Sequence, residues 1–352
     1  MRPPTEEQAA PEILELLAEL TGSSRDSVRF QKPEPPSGYD YAIEVASHRF
    51  LAEYRTAASA GLLQSAIERL KHSADPKAHQ GLPLIVVPYM GQVGQQLCDR
   101  SGVSWLDLSG NSRITAPGLR IRIEGRPNRF AERGRPPNIF AAKSSRIARQ
   151  LLLRPDAFQA QAELARSTGL GDGYVSKIVR RLEQEDYVEI DSHRAVRPRD
   201  PGLLLDAWRD SYDFNHHRAI KGHVPARSGE ELLRRVAKQL PDENLEWAFT
   251  GLSAAWLYTG FATFRLTTVY LSSLPSRSLL TAIEFSEEPR GANLWLILPD
   301  DDGVFQGTEA PGDIRCVSPV QTYLDLKGLP ERAAEASEEL RRQFFSGNRH
   351  DT

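Results

Sequence analysis

Cysteine is nearly absent: Cys98 and Cys316 are the two in 352 residues, far apart and without neighbours at metal-ligand spacing. That excludes a disulfide framework and a zinc ribbon, and both are expected to be buried thiols. Long apolar runs are missing as well, none approaching the roughly 18 residues of a membrane span. The opening MRPPTEEQAAPEILELL carries acids where a secretory signal has a basic flank, so a cytoplasmic location is expected. Nor is there an excess of charge of one sign: the net charge of −3 excludes a uniformly basic nucleic-acid binder. What is present, 40% hydrophobic and 26% charged residues, is the composition of a folding globular chain, long enough for two or three domains.

The charge is segregated. Residues 113–199 hold 18 Lys and Arg against 10 Asp and Glu, a local net of +8, which leaves −11 for the rest. The densest stretch, 113–154, contains eleven basic residues, among them Arg133, Arg135, Lys143, Arg146 and Arg149, against Glu124 and Glu132. A phosphate backbone is the natural partner of such a block, and a solvated basic linker is the alternative.

From Ser144 the spacing predicts three helices. Ile147, Leu151 and Leu152 mark the first, ended by Pro155; the second spans 159–167 with Ala162, Leu164 and Ala165 inward; Thr168-Gly169-Leu170 is the turn. The third, about 171–184, buries Val175, Ile178, Val179 and Leu182 and leaves Asp172, Tyr174, Ser176, Lys177, Arg180 and Arg181 for solvent or a groove. Short polar groups early and cations later are what major-groove docking requires, because the former reach base edges and the latter tie down phosphates. A short hairpin around Asp191-Ser192-His193-Arg194 follows, with Arg194, Arg197 and Arg199 on or after it. The stretch AELARSTGLGDGYVSKIVRRLEQEDYV resembles the winged helix-turn-helix of bacterial transcription regulators; a winged helix used for protein contacts is the alternative.

Upstream, Tyr41 to Val45 and Arg49 to Tyr54 alternate as a hairpin about Ala46-Ser47-His48, followed by helix, apolar strand, helix and strand. Buried strands alternating with helices imply an α/β layer. The order resembles the restriction-endonuclease-like fold, whose site is an Asp on one hairpin strand and an E-x-K on the next. Asp40 and Glu53-Tyr54-Arg55 stand in those places, with Arg55 where the lysine belongs. Arginine stays protonated and is bulkier, so it replaces a proton-exchanging lysine poorly. Three readings stay open: a degenerate nuclease frame, a working metal nuclease, and an ordinary α/β domain with solvated carboxylates. Asp107 in the next apolar run is expected to be satisfied by nearby backbone N–H groups, with Gly110-Asn111 making a turn.

Beyond Trp208 the chain turns acidic. An amphipathic helix is expected over 230–240, a strand running into a small-residue helix over 247–258, strands over 265–271 and 293–298, and a charged helix over 331–345, with Ser318-Pro319 as a helix start. Phe249-Thr250-Gly251, Ala254-Ala255, SPVQTYLDL and Glu331-Arg332-Ala333-Ala334-Glu335 resemble the abortive-infection type IV antitoxin family (AbiEi-like). That resemblance implies a nucleotidyltransferase-like C-terminal domain. The strand after Thr250-Gly251-Leu252-Ser253 has no acid, which removes the basis for transferase chemistry. Asp300-Asp301-Asp302 are expected to form a solvated turn. His216 and His217 point apart, so neither they nor His223 beside Asp213 suggest a metal.

The expectation is an α/β multidomain chain: an inactive endonuclease-like α/β domain (1–130), a winged helix with its basic lead-in (131–200), and an AbiEi-like C-terminal domain (201–352). Its expected function is sequence-specific binding of double-stranded DNA as an antitoxin-like transcriptional repressor. No cofactor or metal is expected, and a toxin partner or a homodimer would suit the resemblance. The alternatives are a metal-dependent nuclease targeted by the winged helix and a toxin-neutralising interaction protein.

Overall fold

The computed structural model describes residues 3–34, 37–73, 81–130, 139–261 and 263–345. The chain is mixed α/β and divides into two compact units, one of Met1–Pro137 with Gln184–Tyr187, the other of Asn138–Glu183 with Val188–Thr352. The helix-turn-helix and the C-terminal region thus share one unit.

In the first unit, α1 (Glu6–Thr21) is followed by β1 (Arg29–Gln31), β2 (Tyr41–Val45), β3 (His48–Tyr54), α2 (Ala60–Ser73), β4 (Leu82–Val87), α3 (Gln92–Ser101), β5 (Ser104–Asp107), β6 (Ser112–Ala116) and β7 (Leu119–Ile123). The seven strands form one sheet in sequential order, with β3, β4 and β5 parallel and the flanking pairs antiparallel. Period-two alternation explains the layers. Ile43, Phe50, Ala52, Leu84, Val86 and Leu106 face the apolar stripe of α1, whereas Leu51, Ile85, Val87 and Trp105 face that of α2 and α3. Ala46 and Ser47, with φ of 48° and 65°, form a two-residue turn that pairs Val45 with His48, so His48 belongs to the strand and not to the connection.

The second unit opens with α4 (Ala142–Leu153), β8 (Gln159–Ala160), α5 (Gln161–Thr168), α6 (Asp172–Gln184), β9 (Val188–Ile190) and β10 (Ala195–Pro198), the strands in the order β8-β10-β9. Residues 159–160 pair with β10, so the second helix starts two residues later than its periodicity implies, and Ala162 faces solvent. Gly169 at φ 68° makes the corner before α6. The Asp191 carboxylate accepts from the N–H groups of His193 and Ala195 and shapes the wing turn.

Next come α7 (Pro201–Ser211), β11 (Arg218–His223), α8 (Gly229–Gln239), β12 (Trp247–Thr250), α9 (Gly251–Thr259), β13 (Thr267–Leu271), α10 (Arg277–Ala282), β14 (Ser286–Glu287), β15 (Leu294–Leu298), α11 (Pro319–Asp325) and α12 (Ala333–Phe344). The sheet order is β12-β13-β15-β11-β14, with β13 and β15 parallel. Ser318 caps α11 by accepting from the Gln321 N–H, as the Ser-Pro pair predicts. Two boundaries move inward for one reason. The Glu331 carboxylate accepts from the N–H groups of Arg265 and Leu266, so β13 starts at Thr267 and α12 starts after Glu331. Among the described residues no helix is long and apolar enough to cross a membrane.

Candidate nucleic-acid interface

The two faces of α6 are cleanly divided. Val175, Ile178, Val179 and Leu182 are buried, while Asp172, Tyr174, Ser176, Lys177 and Arg180 are exposed and Arg181 is half-buried. The buried stripe fixes the rotation of the helix, and with it which side chains face outward. Tyr174 exchanges a hydrogen bond of 2.8 Å with Ser144 of α4, and Ser176 donates to Gln161 of α5 at 2.8 Å. Lys177, Arg180, Arg194, Arg199 and Lys143 are exposed and have no acidic partner among the described residues. Ser176, Lys177, Arg180 and Arg194 line one groove of about 310 Å³ between α6 and the wing.

Other predicted cations are committed elsewhere. Arg146 makes two bonds to Asp301, at 2.7 and 2.9 Å, and a third to the carbonyl of Thr168 at 3.1 Å; the Asp301 bond raises its pKa. Arg146 therefore ties the helix-turn-helix corner to the C-terminal segment. This corrects the expected solvated turn at Asp301 alone, which also caps Gly303 at 2.8 Å and is largely buried, whereas Asp300 and Asp302 are exposed. Arg197 pairs with Glu189 at 2.5 Å and lies 4.4 Å over the Phe158 ring. Arg133 and Arg135 lie outside the described residues.

At the hairpin of the first unit, Asp40, Glu53 and Arg55 do come together. Asp40 accepts from the Tyr54 N–H at 2.8 Å and lies 3.8 Å from Arg55, and burial raises its pKa. Glu53 is 1% exposed; its Oε1 accepts from Arg55 and, at 2.6 and 3.2 Å, from Arg69 of α2, while Oε2 is buried without a partner among the described residues. A divalent ion needs converging carboxylate lone pairs, and here two guanidinium groups hold the same oxygen. These residues do not fit a metal, and among the described residues no group of three His, Cys, Asp or Glu could hold one. Sequence reasoning missed Arg69, because only the packing of α2 over β3 brings it to Glu53. Asp107 follows the prediction, accepting from Met90 N at 3.1 Å and from Asn111 N and Nδ2, each at 2.9 Å.

The C-terminal segment holds a buried polar cluster that sequence reasoning also missed. Asp325, fully buried, accepts from Thr250 at 2.5 Å, Gln321 at 2.7 Å, Tyr270 at 3.1 Å and Tyr212. Burial raises its pKa to about 6 against these four donors. Gln321 in turn accepts from Arg149 of α4 at 2.6 Å, and the Arg149 guanidinium lies 5.0 Å over the ring of Trp208. Burial lowers the Arg149 pKa to about 10. Thr250 and Ser253 are thus spent on internal bonds, and the acid-free β13 beside them is buried along its length. His216 is exposed, whereas His217 is half-buried. Its Nδ1 accepts from Asp300 N at 3.1 Å and its Nε2 meets Tyr212 at 2.9 Å, while burial lowers its pKa to about 4.

No family model matches the chain, and neither a curated protein nor a solved structure does.

Proposed function

We propose that the chain is a sequence-specific double-stranded DNA-binding transcriptional regulator, an antitoxin-like repressor that inserts α6 into the major groove. The observation that carries this reading is the division of α6 into a packed apolar face and an open face of Tyr174, Ser176, Lys177 and Arg180. Groove docking needs a packed helix with exposed contact residues; Lys177 and Arg180 form no ion pair among the described residues, while Tyr174 and Ser176 are exposed and bonded to Ser144 and Gln161. Arg194 on the wing and Arg199 after it, with Lys143 at the start of α4, add phosphate-neutralising charge. In this reading the first unit is a degenerate endonuclease-like domain. The β2–β3 hairpin leading into parallel β3, β4 and β5 supports it, and the guanidinium-filled Glu53 site argues against nuclease chemistry. The C-terminal segment is read as AbiEi-like.

Fluorescence anisotropy with the chain's own promoter DNA and an unrelated duplex of equal length tests the reading. The promoter is expected to bind about 10³-fold or more tightly than the unrelated duplex at physiological salt. Equal affinity for the two would overturn sequence-specific binding.

A further inference from the structure

A cavity of about 230 Å³ opens beside β11 and β15, walled by Tyr212, Phe214, His217 and Trp295. Drug-sized ligands occupy clefts from about 300 Å³ upward, so this one suits a molecule built on a single ring. Lys221 and Trp295 are cross-strand partners, and the ammonium lies 3.9 Å from the ring centroid. No carboxylate pairs with Lys221 among the described residues. Lys327, also at the cavity, donates to the carbonyls of Arg209, Asp210 and Tyr212 at 2.6 to 2.9 Å and has no donor left. Asp213 at the rim is held by Asn215 at 2.9 Å. Two lysines against one aspartate, with His217 neutral, give the lining a net charge of +1.

The back of the cavity connects inward. Since His217 Nδ1 accepts from Asp300, its proton sits on Nε2 and is donated to the Tyr212 oxygen. The Tyr212 hydroxyl donates to Asp325 and accepts from Gln321 at 3.1 Å, and Gln321 accepts from Arg149 of α4. One wall residue of the cavity is therefore two hydrogen bonds from α4.

We propose that this cavity is a binding site for a small aromatic carboxylate, with the ring against Trp295 and Phe214 and the carboxylate on Lys221. The chain Tyr212, Gln321, Arg149 transmits its occupancy to α4. Aromatic walls select the ring, and the one cation with unspent donors selects the anion. This inference stands independently of DNA binding.

Calorimetry on the full chain with benzoate, cyclohexanecarboxylate and benzyl alcohol separates the two selections. Benzoate is expected to bind, and each of the other two to bind about tenfold more weakly or worse. Lys221→Met, which keeps the stem on Trp295, should weaken benzoate by about the same factor. Hydrogen exchange then reads the relay: benzoate should change amide protection in α4 of the parent chain and leave it unchanged in Gln321→Met, which breaks the relay outside the cavity lining. No heat with benzoate up to about 10 mM, or equal affinity in Lys221→Met, overturns the site. Binding that leaves α4 exchange unaltered overturns the relay.

Discussion

The chain gathers arginine at two places and uses it in opposite ways. Around Glu53 the guanidinium groups of Arg55 and Arg69 converge on one buried carboxylate oxygen, and Asp40 lies 3.8 Å from Arg55, so two acids balance two cations inside the first unit. Along α6 and the wing, Lys177, Arg180 and Arg194 face solvent and form no ion pair among the described residues. Both regions are cationic by residue type, and what separates them is whether folding supplies the counter-charge. A cation whose partner is built in contributes to stability. One left open keeps its electrostatic energy for a ligand.

The largest effect should come from Glu53. Glu53→Ala leaves the two guanidinium groups facing each other with Asp40, 3.8 Å from Arg55, as their remaining acid, and should lower the unfolding free energy by about 2–3 kcal/mol in a urea titration. Lys177→Ala should stay within about 0.5 kcal/mol of the parent chain. A Glu53→Ala chain as stable as the parent would show that the hairpin pairs are idle.

A second effect concerns burial without a counter-charge. His217 is held neutral with its pKa lowered to about 4, well below the ordinary 6.5. As pH falls below 6.5 the unfolded chain takes up this proton before the folded one does, so stability declines until pH reaches about 4. His217→Gln removes that contribution. The stability difference between the two chains should shift by roughly 2–3 kcal/mol between pH 7 and pH 4 in the direction of the variant. A pH-independent difference would mean that His217 titrates normally. Asp325 works in the opposite sense: its pKa, raised to about 6, makes stability fall as pH rises from 3.8 to about 6, so the two groups offset each other in the parent chain.

The smallest effect should come from a cation already spent. Arg197→Ala removes a charge that pairs with Glu189 and covers Phe158, and its effect on DNA affinity should be less than about threefold. A loss matching that of the α6 variants would place Arg197 on the DNA and erase the distinction drawn between open and paired cations.

What was legible in the sequence follows the range of the interactions. The apolar stripe of α6, the Ser318 cap and the Asp107 turn rest on neighbours within about a helical turn, and spacing alone reveals them. The hairpin that joins Asp40 to Glu53 is also local, and its strands lie where alternation puts them. The fate of Arg146 was not legible, because Asp301 lies 155 residues away. Arg69 against Glu53 and Arg149 against Gln321 are likewise products of packing between elements. Charge counting treats every arginine in a basic block alike, and only the fold sorts the paired from the open. The relay from His217 to Arg149 joins residues from α4, α11 and the segment between α7 and β11, and no motif spacing announces it.

The most direct test of the open α6 face is the salt dependence of promoter binding by Lys177→Ala/Arg180→Ala beside the parent chain, with matched unfolding curves as the control. The double variant should lose about tenfold or more in affinity, with a log–log salt slope shallower by about two. Parent-like affinity and slope in the folded double variant would contradict docking through that face.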